Sequence, residues 1–106
     1  MVEAIADKKG EDIVLMDIQQ QALFADYFVI CSGTSERQLK AIVDGIAETV
    51  RKQLQVHARR TEGDAPSGWI LMDFTDVIVH VFAPQQRRFY NLEELWQEAP
   101  IILQVQ

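Results

Sequence analysis

A chain of 106 residues has the size of a single domain, and 48% hydrophobic residues allow a small core. Its 10 basic and 16 acidic residues give a net charge of −6. This balance excludes nucleic acid as the main partner, because such binding relies on Lys and Arg side chains that neutralise phosphates. An acidic surface favours either a basic protein partner or simply solubility.

Cys31 is the only cysteine, so no intrachain disulfide can form and a reducing cytosol is the expected compartment. It lies in the apolar run 27–31, which is typical of buried packing and not of a reactive thiol. No apolar run approaches the roughly 20 residues that span a bilayer. Glu3 and Asp7 stand where a signal peptide would begin with basic residues. We therefore expect a cytoplasmic protein.

The first part of the chain predicts one helix and two strands. Residues 2–9 are typical of a short helix that Gly10 ends. Residues 13–18 and 27–32 are rich in β-branched and other apolar side chains, which predicts strands. The polar segment 19–26 between them predicts a loop.

The clearest local pattern is the start of a long helix. Ser35, followed three residues later by Gln38, matches a capping box. Apolar residues then recur at three- and four-residue spacing over roughly 20 residues, which predicts one buried helix face. This face comprises Leu39, Ile42, Val43, Ile46, Ala47, Val50 and Leu54. Gly45 lies in the middle of the helix, where the lack of a side chain allows close packing on the sheet.

The second half of the chain predicts a loop, a hairpin and a last helix. Residues 57–68 are polar and contain Gly and Pro, which predicts a loop. Strands over 69–73 and 77–82 are so close in sequence that they should pair as an antiparallel hairpin. Residues 91–98 predict a short helix, and the tail from Pro100 predicts either an edge strand or a loose end.

Both faces of the strand 77–82 are largely apolar, so this strand should be central and covered on both sides. One long helix joins the two strand pairs. The elements therefore predict an α/β fold in which residues 1–106 form one domain, with a mixed β-sheet packed with helices.

Two features could bind a nucleotide or a metal. The turn Ser32–Ser35 at a helix N-terminus could attract an anion, or Gly33 could simply permit the turn before a capped helix. Asp73 and Asp76 lie at neighbouring strand ends and could hold a divalent cation, or could hydrogen-bond the hairpin turn. No Walker or dinucleotide-binding pattern is present. A Mg-dependent nucleotidyltransferase-like enzyme is thus the alternative function.

The histidines and basic residues predict only secondary roles. His57 and His80 lie in no cluster of zinc ligands, and His80 is expected to bond to a neighbouring polar group in the core. The basic residues of two segments could touch rRNA phosphates as a minor contact, or they could simply be solvated. These residues are Arg51, Lys52, His57, Arg59, Arg60, Arg87 and Arg88.

Three aromatic residues stand among carboxylates in the second half of the chain. Trp69, Tyr90 and Trp96 could be core residues, or they could anchor a partner, since Trp and Tyr are frequent among binding hot spots. The carboxylates around them would suit a basic protein surface. These are Asp73, Asp76, Glu93, Glu94 and Glu98.

Three segments together resemble the Iojap family of ribosomal silencing factors. The first is Asp26–Ser35 with Arg37 and Gln38, and the second is Glu62–Gly63 with Gly68–Phe82. The third is Arg88–Trp96. The order and spacing agree over nearly the whole chain, from about residue 2 to 98.

The resemblance implies a nucleotidyltransferase-like fold without catalysis and without a cofactor. It further implies that the protein binds the large ribosomal subunit through its fourteenth ribosomal protein. Binding would block association with the small subunit and repress translation under nutrient limitation. Homodimers occur among isolated family members. With the net charge of −6, we expect rRNA to be at most a minor partner. The expected contact residues are Trp69, Asp73, Asp76, Tyr90, Glu93 and Trp96.

One residue departs from the family pattern. Family members often carry Gly where this chain has Thr75, in the hairpin turn. A positive φ would strain a threonine, so we expect a different type of turn here.

Overall fold

The computed structural model describes residues 1–106. The helices are α1 (Val2–Asp7), α2 (Glu36–Leu54), α3 (Pro84–Tyr90) and α4 (Leu92–Leu95). The strands are β1 (Glu11–Asp17), β2 (Tyr27–Ser32), β3 (Arg60–Asp64), β4 (Trp69–Asp73), β5 (Val77–Phe82) and β6 (Ile101–Val105). They form one sheet in the order β3-β4-β5-β2-β1-β6. Only β2 and β5 pair in parallel, so the prediction of a mixed α/β sheet is confirmed.

The two faces of the sheet carry separate apolar clusters. On one face, α1 and α2 pack over a cluster that includes Val79 and Val81 of β5. On the other face, His80 and Phe82 point toward the segment 18–26 and the C-terminal helices. This alternation is what period-two strands produce. The predicted central position of β5 is confirmed, because it lies between β4 and β2 and is buried from Ile78 onward.

The N-terminus of α2 is capped, but the capping box is only half formed. Ser35 Oγ accepts a hydrogen bond of 3.1 Å from the Gln38 backbone N–H. The Gln38 side chain instead accepts from the Thr34 N–H at 2.7 Å and donates to the Lys9 carbonyl at 2.7 Å. Gln38 therefore fastens the start of α2 to the residues that directly follow α1.

The expected packing of Gly45 on the sheet is wrong. A Cβ atom built at Gly45 would lie 3.2 Å from side-chain carbons of Lys8 and 3.8 Å from the Ala4 carbonyl. The glycine therefore admits α1 against α2, where a side chain would crowd the crossing.

Three elements differ from the sequence-based expectation. The loop predicted over 57–68 contains the edge strand β3, whose residues are all exposed. Helix α3 was not predicted, and it begins at Pro84, which suits the first helical position. The last helix covers only Leu92–Leu95, and Leu95 is exposed instead of buried. The tail forms the strand β6, one of its two predicted alternatives.

Thr75 has a φ of +78°, so the expectation of a turn without a positive φ is wrong. The Asp76 N–H donates to the Phe74 carbonyl at 3.0 Å and closes a three-residue turn around Thr75. A positive φ at the centre of such a turn is rare and strained for a residue with a Cβ atom.

None of the helices combines the length and the apolar character that a membrane crossing requires.

Candidate docking surface

Trp69 and Tyr90 meet on the face of the sheet opposite α2. Trp69 opens β4 and stacks on Phe82 of β5, with ring centroids 5.0 Å apart and an interplanar angle of 27°. Tyr90 is the last residue of α3, and its ring centroid lies 4.4 Å from that of Trp69. Asn91 ends the helix with a φ of +46°. The fold therefore brings Tyr90, from the third of the three family-like segments, into contact with Trp69 of the β4–β5 hairpin.

An open groove of about 290 Å³ runs beside these two rings. Leu71, two residues after Trp69 and on the same sheet face, gives it an apolar wall. Glu62 of the edge strand β3 pairs with Leu71 in the sheet and adds a carboxylate. We call this the aromatic groove, and its lining is Glu62, Gly63, Ser67, Trp69, Leu71 and Tyr90.

His80 lies under the aromatic groove and is bonded to Trp69. The indole Nε1–H donates to His80 Nδ1 at 3.2 Å, which confirms the expected bond to a polar neighbour in the core. The His80 side chain is buried, and burial lowers its pKa to about 4. The imidazole is therefore neutral at pH 7, and its Nδ1 can accept a hydrogen bond from the indole N–H.

Trp96 belongs to the same face but not to the groove. Its ring meets Phe28 edge-on, with centroids 5.3 Å apart, and also contacts Phe24 at 6.0 Å. Phe28 in turn meets His80 at 4.7 Å. The aromatic residues thus form a continuous row across the sheet, which is exposed at Phe24 on one end and at Tyr90 and its neighbour Phe89 on the other.

Glu93 takes part in an ion pair at the carboxyl end of β2. Its Oε1 accepts from Arg87 Nε at 2.9 Å, and the same guanidinium donates to Ser32 Oγ at 2.9 Å and to the Asp12 carbonyl at 2.6 Å. The Arg87 side chain is only 12% exposed, whereas Glu93 is 36% exposed. Glu93 therefore fixes the C-terminal helices to the sheet and leaves part of its carboxylate accessible.

Asp73 and Asp76 lie at the end of the hairpin opposite Trp69. Asp73 is the last residue of β4, about 13 Å from Trp69 and about 7 Å from Leu71 at 3.3 Å per strand residue, and Asp76 lies in the turn before β5. The Asp73 side chain is 5% exposed and lies 3.1 Å from Arg59 and 3.6 Å from Arg60. This placement gives Asp73 a structural role and little surface for a partner. Asp76 is exposed at the turn.

The two alternative chemical sites find little support in this geometry. Both carboxylate oxygens of Asp73 are engaged, Oδ2 by the arginines and Oδ1 by the Thr75 N–H. No group of three or more His, Cys, Asp or Glu side chains is placed to hold a metal ion. At the Ser32–Ser35 turn, the Thr34 N–H is already bonded to Gln38. Burial raises the pKa of the Cys31 thiol to about 12, so it is unreactive at neutral pH.

Most of the basic residues considered for rRNA contact pair with carboxylates of the chain itself. Lys52 bonds Glu48 at 2.8 Å, and Arg60 lies 3.3 Å from Glu62. Arg59 and Arg87 are paired with Asp73 and Glu93. Of the residues considered, Arg51, His57 and Arg88 have no such ion pair.

Sequence reasoning did not assign Glu62 and Leu71 to the contact surface. The period of two from Trp69 could have indicated Leu71, because both side chains must share one sheet face. The sequence does not indicate Glu62, since its place beside Leu71 depends on β3, a segment whose composition predicts a loop.

Comparison with known proteins identifies similar sequences and structures. A family model described as "Ribosomal silencing factor during starvation" matches residues 1–106. The chain is 41% identical over 101 residues to a protein of Halalkalibacterium halodurans named Ribosomal silencing factor RsfS, covering 95% of this chain and 86% of that protein. A crystal structure of a Chromobacterium violaceum protein is similar with a TM-score of 0.85 at 33% identity, over 91% of this chain and 79% of that one.

A mouse protein named Mitochondrial assembly of ribosomal large subunit protein 1 is 31% identical over 99 residues. The match covers 91% of this chain and 43% of the mouse protein.

Proposed function

This chain belongs to the ribosomal silencing factor family, and we propose that it binds the large ribosomal subunit through the fourteenth ribosomal protein. Bound there, it blocks association with the small subunit and represses translation when nutrients are limited. The mouse relative, whose name refers to assembly of the large subunit, supports the choice of subunit. The reference to starvation in the family description supports the physiological setting.

The aromatic groove is the observation that carries this proposal. Trp69 and Tyr90 present large apolar rings at the surface, and Tyr90 is 46% exposed. Such rings are frequent anchors of protein interfaces, because they bury much area at a small entropic cost. A half-buried Trp69 and an exposed Tyr90 beside a carboxylate fit a partner that presents basic and apolar side chains together.

The charge of the chain argues for a protein contact over an RNA contact. At a net charge of −6, the chain is repelled by the phosphates of rRNA. Glu62 and Asp64 of β3 and Glu94 of α4 are exposed near the groove. These carboxylates would steer the approach of a basic ribosomal protein.

The proposed contact set is centred on Trp69, Tyr90 and Glu62. Glu93 and Trp96 lie outside the groove, on the same side of the sheet, and would extend the contact toward β2. Asp76 is exposed but lies at the far end of β4, so it contributes only if the interface spans the whole sheet. Asp73 is buried in its ion pairs and supports the fold instead.

Silencing by this protein needs no chemical step. The body measures about 33 × 33 × 23 Å, and a rigid object of this size on the intersubunit face occupies volume that the small subunit needs. The function is then regulatory and steric, in the compartment that holds the ribosomes, which is the cytoplasm of a bacterial cell.

Co-sedimentation with purified large subunits tests the proposal. We expect micromolar wild-type protein to pellet with large subunits and to reduce their joining to added small subunits. The variant Tyr90→Ala should weaken binding at least 10-fold, since hot-spot truncations cost about 2 kcal/mol or more. Leu54→Ala is the matched control, because Leu54 is also a large exposed side chain but ends α2 across the sheet.

Absence of co-sedimentation by the wild-type chain would contradict ribosome binding. Equal affinities of the wild-type chain, Tyr90→Ala and Leu54→Ala would instead contradict the placement of the contact on the aromatic groove.

The isolated chain is further proposed to form homodimers through β6. The outer edge of this strand is unpaired, and Ile101, Ile102, Leu103 and Val105 are all large and exposed. No charged side chain occurs from Ala99 to Gln106, so two acidic chains can meet here without repulsion between like charges. In an antiparallel pairing centred on Leu103, Ile101 lies opposite Val105 of the second copy, which makes the strand self-complementary.

A further inference from the structure

His80 carries a buried polar atom that has no partner. Its Nδ1 accepts from Trp69, so the ring proton resides on Nε2. His80 Nε2 is buried and has no hydrogen-bond partner. A buried N–H without an acceptor lowers stability, and an apolar ring would avoid this penalty. The unpartnered N–H of the histidine therefore lowers the stability of the core. The feature that compensates for this loss is the hydrogen bond that Nδ1 accepts.

The hydrogen bond at Nδ1 fixes the Trp69 ring from below. Phe82 stacks on that ring at 5.0 Å and Tyr90 contacts it at 4.4 Å, but both are apolar contacts that allow sliding. The bond to His80 is directional and reaches diagonally across the sheet, since Trp69 is opposite Phe82 and His80 is opposite Leu71. Only this bond defines which edge of the indole faces the groove.

We propose that His80 is a positioning residue for partner binding, which holds the Trp69 indole in the orientation that the aromatic groove presents. This inference rests on the proposed docking role of the groove. A ring that is already oriented loses less conformational entropy on binding, and affinity rises accordingly. His80 itself is 4% exposed, so it acts on a partner only through Trp69.

The test compares two substitutions of His80, one that should lower the affinity for large subunits and one that should lower the stability of the fold. His80→Phe removes the orphaned N–H but also leaves the Trp69 indole N–H without its acceptor, so the stability should stay close to that of the wild type. This variant should bind large subunits about 5-fold more weakly. His80→Asn keeps an oxygen near the Nδ1 position but leaves a cavity, so it should be less stable and yet bind within about 2-fold of the wild type. A purely structural role predicts that affinity follows stability in both variants.

Two further measurements keep the outcome decisive. The indole N–H resonance of Trp69, assigned against Trp96→Phe, should shift and exchange faster with solvent in His80→Phe than in His80→Asn. In a Trp69→Phe background, which lacks the donor, His80→Phe should cause no further loss of affinity. If His80→Phe does not fold, His80→Leu replaces it in the same comparison.

Failure of the inference differs from failure of the proposed function. If Trp69→Phe, Tyr90→Ala and the wild type all bind equally, the groove is not the docking surface. If Trp69→Phe weakens binding but His80→Phe binds like the wild type, the groove is retained and the positioning role of His80 is overturned.

Discussion

Asp73 Oδ1 accepts a hydrogen bond of 2.8 Å from the backbone N–H of Thr75, which has a φ of +78°. The carboxylate thus holds a backbone conformation that L-residues disfavour. The same carboxylate is anchored by Arg59 at 3.1 Å. The turn between β4 and β5 is therefore maintained by one buried side chain against the preference of its own central residue.

We expect Thr75→Gly to raise the free energy of unfolding by about 1 kcal/mol. Glycine relieves a strain of roughly 1–2 kcal/mol at positive φ, and its greater freedom in the unfolded chain offsets part of the gain. Urea unfolding followed by tryptophan fluorescence measures the change. Thr61→Gly is the control, because Thr61 lies in the strand β3, where glycine should destabilise. A destabilised Thr75→Gly would contradict strain at this turn.

Asp73→Asn should lower the free energy of unfolding by about 1–2 kcal/mol, since the arginines lose a charged partner. Arg59 and Arg60 are 65% and 60% exposed, and solvent screening keeps the effect below that of a fully buried pair. Asp76→Asn, at the exposed end of the turn, should change stability by less than about 0.5 kcal/mol. At a temperature where Asp73→Asn and Asp76→Asn are both folded, Asp73→Asn should bind large subunits with the same affinity as the wild type.

The parts of the fold that the sequence predicts are those with a marked apolar pattern. β2 is predicted with the observed bounds because it is a continuous run of β-branched and other apolar residues, and it is buried from Phe28 to Ser32. α2 is predicted because its buried residues recur at the spacing of a helix. β3 has no period, since all its residues are exposed and backbone pairing with β4 alone defines it. A short edge strand of this kind cannot be distinguished from a loop by its composition.

The candidate site was predicted only in part for a related reason. Trp69 and Tyr90 were both named, but their contact depends on α3, which starts at Pro84 and turns the chain back over the sheet. The sequence places Asp73 in one group with the other carboxylates near the aromatic residues, although the Asp73 side chain is buried in an ion pair with Arg59. Charge composition indicates the kind of partner, whereas tertiary pairing decides which carboxylates remain free for it.

Arg87→Met should lower the free energy of unfolding by about 2 kcal/mol and weaken large-subunit binding. The substitution leaves Ser32 Oγ and the partly buried Glu93 carboxylate without their donor, so α3 and α4 lose their polar attachment to the sheet. Arg88→Met, on the exposed neighbour, should change neither quantity. Thermal unfolding and co-sedimentation measure both effects, and equal behaviour of the two variants would contradict the anchoring role of Arg87.

Acidification should destabilise the fold through His80. Its pKa is lowered from 6.5 to about 4 by burial, so between these values the unfolded chain binds a proton that the folded chain does not. The free energy of unfolding therefore falls as the pH drops from 6.5 toward 4, by up to about 3 kcal/mol. His80→Phe should remove this component, whereas His57→Gln in an exposed segment should retain it. Identical pH profiles of wild type and His80→Phe would contradict a buried neutral imidazole.

Leu103→Lys should abolish self-association of the isolated chain while leaving ribosome binding intact. Leu103 lies at the centre of the proposed antiparallel pairing, where the two lysines of a dimer would face each other across β6. The other edge strand, β3, already carries Arg60, Glu62 and Asp64, which protect it from pairing with a second chain. Sedimentation velocity at increasing concentration should show a dimer for the wild type and a monomer for Leu103→Lys. Glu62→Lys, the matched change on the protected edge, should leave the dimer unaltered. A wild-type chain that stays monomeric at high micromolar concentration would contradict pairing through β6, because an unprotected apolar edge of this kind should associate under those conditions.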